Sequence, residues 1–245
     1  MSYAAVIDTD ADLGRTTLDV DETFDADKPM PSSGAPHRSS SQTAKWFLQS
    51  SFDVSTNDVM QRCVHALVPT VNFFDILDDR ADLYGPFWIT TTIVQVLFLS
   101  QSMTQYITHK TSSDTVAYNI HQLVNAAAAL YGYTGFISVF LWAFLRFYNC
   151  NPKLLECICL FGYANIVWLP VSLASPPLAL LPSHISSIVR WILTGSGLSV
   201  SLVFLLKNLY PVCQKAGTYI CKLACIGIVF LHLCLALALH WCFFK

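Results

Sequence analysis

From Phe87 to the C-terminus the chain carries five apolar stretches, at about 87–107, 123–145, 154–175, 185–206 and 219–244. Each has the roughly 20 residues that an α-helix needs to cross about 30 Å of hydrocarbon. Lipid offers no partners to backbone N–H and C=O groups, so a segment of this kind crosses as a helix that satisfies them internally. The connections, 108–122, 146–153, 176–184 and 207–218, are short. The expected fold is therefore an all-α polytopic membrane protein, a bundle of five antiparallel transmembrane helices with the two chain ends on opposite sides.

Charge divides the 245 residues at the same place. Residues 1–86 hold fourteen acids against six bases, whereas 87–245 hold two acids, Asp114 and Glu156, against eight bases. The first part is written for water, and three sections follow from that. Residues 1–43 alternate Asp with Ser, Thr and Pro and bury too little to offset ordering entropy, which predicts a disordered acidic tail. Residues 44–86 form a cytosolic amphipathic region, and 87–245 the membrane domain. The first 40 residues have no basic start and no apolar run, so no cleavable leader is expected. Most of the nine cysteines lie in apolar runs, where they act as small hydrophobes, so structural disulfides are not expected.

Within the amphipathic region Val59, Met60, Cys63, Val64, Leu67 and Val68 recur in pairs every four residues, the pattern of one helix face, with Asn57, Asp58, Gln61, Arg62 and His65 opposite. Ser55 and Asp58 have the spacing of a capping box, and Pro69 stops the helix. Its apolar face either lies on the membrane or a partner, or packs on the membrane domain's own cytosolic side. The region ends in Asp82-Leu83-Tyr84-Gly85-Pro86. Pro86 lacks the N–H that a helix start leaves unpaired, and Tyr84 and Trp88 suit the headgroup level.

Inside the membrane domain, Thr91, Gln95, Ser102 and Gln105 draw a polar stripe along the first helix. It serves helix pairing, or the path of a small transporter or channel, although charges at membrane depth, the usual mark of such a path, are scarce. Small residues, Ala126 to Ala129, Gly132, Gly135, Gly195 and Gly197, predict close helix packing. Pro170 predicts a kink in the third helix at Ile166. Thr194-Gly195-Ser196-Gly197 with His232 or His240 has the form of an intramembrane serine hydrolase, yet such matches arise readily in Gly/Ser-rich helices, and neither catalysis, cofactor nor metal is expected. Cys150 and Cys213 stand at cytosolic helix ends as candidate acylation points. Arg146, Lys153, Lys207, Lys215 and Lys222 against Lys110, Arg190 and Lys245 favour a cytosolic N-terminus and a lumenal C-terminus. No basic patch points to nucleic acid.

The order of these landmarks resembles the Yip-domain (Ypt/Rab-interacting protein) family of secretory-pathway membrane proteins. The family's Asp-Leu-Tyr-Gly-Pro stands intact at 82–86, the Tyr-Gly-Tyr at Tyr131, Gly132 and Tyr133, and the Gly-Tyr…Pro of the third helix at Gly162, Tyr163 and Pro170. Phe52-Asp53-Val54 is similar to the N-terminal element of one Golgi branch. The resemblance implies a five-span protein of Golgi membranes, or of the neighbouring ER or late endosomal ones, that binds the lipid bilayer. It further implies a prenylated Rab-type GTPase as partner, homo- or hetero-oligomers with related Yip and Yif proteins, and a part in vesicle transport and Golgi structure. Phe52, Asp53, Val54 and Asp82 to Pro86 are the partner-binding candidates it marks.

Overall fold

The computed structural model describes residues 51–77, 80–109, 120–150 and 152–244. The acidic tail 1–43 and the expected onset of order near Lys45 lie outside them. The described residues lie in one compact unit.

Helix α1, Thr56–Leu67, starts as its capping residues predict: the Ser55 hydroxyl accepts the Asp58 N–H at 3.2 Å. The buried side of α1 is not the expected one. Arg62 and Ala66 are its buried residues, with Val59 and Cys63 packed partly against the core. Met60, Val64 and Val68 are 61, 52 and 57% exposed. The expected apolar face is thus split, one half on the bundle and one half open. A short helix α2, Phe73–Leu77, inserts Phe73 and Leu77 fully into the core.

The long helices follow. α3 is Tyr84–His109, α4 is Ile120–Phe147 and α5 is Leu154–Ala164. A 3₁₀ turn, Asn165–Val167, leads into α6, Trp168–Leu173, and α7, Ser175–Leu178. α8 is Ser183–Gln214 and α9 is Thr218–Leu239, closed by a π-helical turn over His240–Phe244. Among the described residues, four stretches have both the length and the apolarity of a span: Ile120–Phe147, Leu154–Leu178, Ser183–Gln214 and Thr218–Phe244. The expected five apolar spans become four. α3 is long enough at 26 residues, but Thr90, Thr91, Thr92, Gln95, Ser100, Gln101, Ser102, Thr104 and Gln105 dilute its apolar side chains. It still runs within the bundle, where Ile93, Val94 and Leu97 pack with Ala126, Leu130, Trp168 and Val171. Its polar stripe does not face inward: Gln95 is exposed and Thr91, Ser102 and Gln105 are half-buried.

The kink expected at Pro170 is present as the 3₁₀ turn, which contains Ile166, the residue whose carbonyl the ring displaces. A backbone carbonyl there finds a side-chain partner: the Ser201 hydroxyl donates to Ala164 O at 3.1 Å. Beside it the Asn165 side chain donates from Nδ2 to Thr134 Oγ1 at 2.8 Å. α8 is longer than the expected 185–206 because Pro211 lies in its last turns, where a missing N–H costs a single bond. The expected connection 207–218 shrinks to Lys215–Gly217, turned by Gly217 at φ 103°. Of the small residues, Gly197 is a packing glycine, with Val171 and Trp168 side chains 3.1 and 3.4 Å from where a Cβ would stand. Gly132, Gly135 and Gly195 face open space instead. Cys150 and Cys213 are buried, so the described fold gives neither thiol the access that acylation needs.

Candidate functional site

Asp82 is fully buried at the start of α3 and collects contacts from three helices, α1, α3 and α5. Its carboxylate forms an ion pair with Arg62 of α1. The same carboxylate accepts the Gly85 N–H at 2.6 Å, capping the first turn of α3, and the Tyr163 hydroxyl of α5 at 3.2 Å. The second Arg62 nitrogen donates to Arg80 O at 2.9 Å. Around the Asp82 backbone, Cys159 Sγ lies 3.1 Å from its N–H and 2.7 Å from its carbonyl, and the Leu83 N–H donates to Ser51 O at 2.9 Å. A charge buried without a partner is prohibitive, so Arg62 and Asp82 are mutually obligatory.

Two glycines set how closely the segments meet. A Cβ on Gly85 would overlap the Tyr163 ring, whose Cε2 is 2.8 Å from that position. A Cβ on Gly162 would overlap Pro86, whose Cα is 2.8 Å away. Gly85-Pro86 and Gly162-Tyr163 are therefore one interlocked contact, although 76 positions separate Pro86 from Gly162. No pattern local in sequence relates the two pairs.

The segment between α1 and α3 has further ties to α8. Lys207 Nζ donates to Pro69 O at 2.8 Å and Thr70 O at 2.6 Å. Asn208 Oδ1 accepts the Phe73 N–H at 2.6 Å, and the Phe73 ring meets those of Tyr163 and Phe204 at 5.4 and 5.2 Å. From residue 51 onward the described part of the amphipathic region packs on the bundle, one of the two placements its sequence left open. Burial, with the Asp82 carboxylate adding to it, pushes the Cys63 thiol up to about 11, so this thiol stays protonated at neutral pH.

The other candidates lie around this centre or away from it. Phe52 and Asp53 are exposed and Val54 is half-buried; Phe52, Leu83, Pro86 and Tyr131 line a cleft of about 240 Å³. Tyr84 is exposed, its ring 6.2 Å from that of Trp88. Gly132 and Pro170 take no part in the Asp82 cluster. Arg62, Cys159, Phe73 and Asn208 are the members that sequence reasoning missed. Arg62 was readable in principle, since it lies three residues after Val59 and four before Ala66 on what becomes the buried side. The serine hydrolase arrangement is absent: Ser196 Oγ donates to Leu193 O, His240 Nδ1 pairs with Thr194 Oγ1 at 3.0 Å, and His232 Nδ1 pairs with Tyr133 at 2.7 Å.

The Yip1 domain family model matches residues 65–240. The chain belongs to this family. The matched range holds Asp82 to Pro86, Cys159, Gly162 and Tyr163, and begins three positions after Arg62. Among Yip-family relatives, "Protein YIP5" of Schizosaccharomyces pombe is 52% identical over 249 residues, covering 100% of both chains. "Protein YIPF1 homolog" of Dictyostelium discoideum is 29% identical over 194 residues, covering 79% of this chain and 54% of that one. "Protein YIP5" of Saccharomyces cerevisiae is 30% identical over 110 residues, 38% of this chain and 34% of that one. No solved structure matches the chain.

Proposed function

We propose that this Yip-family membrane protein is an adaptor of the early secretory pathway, resident in Golgi or neighbouring membranes, that acts by binding rather than by catalysis. The observation that carries the reading is family membership combined with the Arg62–Asp82 joint, which holds α1 in one fixed attitude on the bundle. A partner then meets a preformed surface and loses less ordering entropy on binding. That surface is the open half of α1, Met60, Val64 and Val68, beside the exposed acids Asp53 and Asp58. An apolar strip edged by carboxylates suits a prenylated Rab-type GTPase whose lipid-bearing tail is basic, and the acids steer it in a salt-dependent way. α1 faces the cytosol in this reading, and related Yip and Yif bundles pair with this one in the membrane.

The test keeps the joint intact and alters only the open side. Met60→Gln with Val64→Ser leaves Arg62, Cys63 and Ala66 in place, so the protein remains monodisperse in mild detergent. Recovery of prenylated GTPase by the tagged full-length protein is expected to fall at least fivefold. Equal recovery by the variant and the parent would remove the open side of α1 as the docking surface.

A further inference from the structure

At the end of the bundle away from the joint, a cavity of about 530 Å³ opens among the ends of α3 and α9 and the start of α8. Thr108 on its wall is 23 positions beyond Gly85 on the same helix, about 35 Å at 1.5 Å per residue, so cavity and joint lie at opposite faces of a membrane. Its size is that of a small-molecule site, about 300–1,000 Å³. Arg190, Ser183, Ser186, Ser187, Thr104 and Thr108 supply its polar wall. Trp191 and Trp241 supply its apolar one, and tryptophan favours the headgroup level.

Arg190 is the cation of this wall, and its hydrogen bonding is incomplete. One guanidinium nitrogen donates to Phe244 O at 3.1 Å. Nε is buried with no hydrogen-bond partner among the described residues, and no carboxylate of the described residues pairs with the group. His240 forms a buried flank, its ring 3.7 Å from that of Trp191 and its Nδ1 engaged by Thr194. Pro182 precedes α8 and provides no side-chain cap, so first-turn N–H groups at Ser183 add donors on the same side. The wall combines a half-buried guanidinium with several hydroxyls, and no carboxylate of the described residues meets it. A phosphate diester, singly negative and rich in acceptor oxygens, matches a single guanidinium with surrounding hydroxyls. Phospholipid headgroups place that group at this depth: α8 is 32 residues long, about 48 Å, which carries its first turns beyond a hydrocarbon layer of about 30 Å.

We propose that this cavity binds the phosphate of a membrane phospholipid, with Arg190 as the charged anchor, the α8 and α3 hydroxyls as further donors, and Trp191 and Trp241 against the glycerol and upper acyl chain. The reading is independent of the GTPase-binding proposal, which concerns the other end of the molecule.

The test follows thermal unfolding of the full-length protein in mild detergent with four additions: phosphatidylcholine, phosphatidylinositol, diacylglycerol of the same chains, and inorganic phosphate. Both phospholipids are expected to raise Tm by about 5 °C near saturation, diacylglycerol and inorganic phosphate by less than a third of that. Arg190→Gln removes the difference between phospholipid and diacylglycerol. Ser187→Leu, an exposed position at the mouth, reduces it by half or more and keeps the test open should the Arg190 variant fail to fold. Equal shifts with diacylglycerol and phospholipid, or no shift with either, would overturn the proposal. A full shift from inorganic phosphate alone would assign the site to a soluble anion and overturn its lipid source.

Discussion

Replacing Asp82 by Leu strands the Arg62 guanidinium in the core and removes the cap of α3. Loss of one partner from a buried ion pair costs about 3–5 kcal/mol, and Arg62→Met, which strands the carboxylate, should cost a similar amount in chemical unfolding. The double variant should lose less than the sum of the two, because no unpaired charge remains. Additive losses would show that the pair is not coupled. Gly85→Ala and Gly162→Ala each place a methyl into Tyr163 or Pro86 and should cost about 1–3 kcal/mol. Gly132→Ala meets open space within a helix and should be neutral or stabilising by up to about 1 kcal/mol. Burial, and the Asp82 carboxylate after it, push the Cys63 thiol up to about 11, above the usual thiol value of about 8.5, so the folded state favours its neutral form. Its contribution to stability is therefore whole below about pH 8.5 and is lost as pH rises through about 11. Alkylation of Cys63 should be slow at pH 7 and accelerate toward that value, and Asp82→Asn should shift the acceleration to lower pH.

Among the elements, α1 separates what pattern shows from what it does not. Its existence, its Ser55 start and its stop at Pro69 follow from capping chemistry and period, and so does the break before Pro170. Its orientation does not follow, because a periodicity reading assigns every charge to the wet side. Arg62 is buried only because Asp82, twenty positions later, neutralises it, and a helical window contains no such information. The same holds for α2, whose Phe73 is fixed by Asn208 from 135 positions away. Asn208→Leu leaves the buried Phe73 N–H without an acceptor and should cost about 1–3 kcal/mol, read as an earlier urea midpoint. An unchanged midpoint would mean that this tie holds nothing.

For the whole molecule, the sequence shows a membrane bundle with a helical region before it, and the Asp82 to Pro86 string as the boundary between them. What it hides is that the boundary is an interior. Asp82 sits where α1, α3 and α5 meet, so residues 51–77 and the membrane helices share one core. The proposed cytosolic placement of α1 predicts that a glycosylation sequon inserted between His109 and Ile120 is modified, while one at Lys215–Gly217 is not; the reverse pattern would invert the molecule. The shared core is tested most directly by hydrogen exchange, peptide by peptide, on the full-length protein and on Asp82→Leu. In the parent, the amides of Thr56–Leu67 should be as protected as the ends of the membrane helices. In the variant, this helix should lose at least tenfold in protection while Ile120–Phe147 and Thr218–Leu239 keep theirs. Free exchange of Thr56–Leu67 in the parent, or protection there that survives loss of Asp82, would contradict the joint.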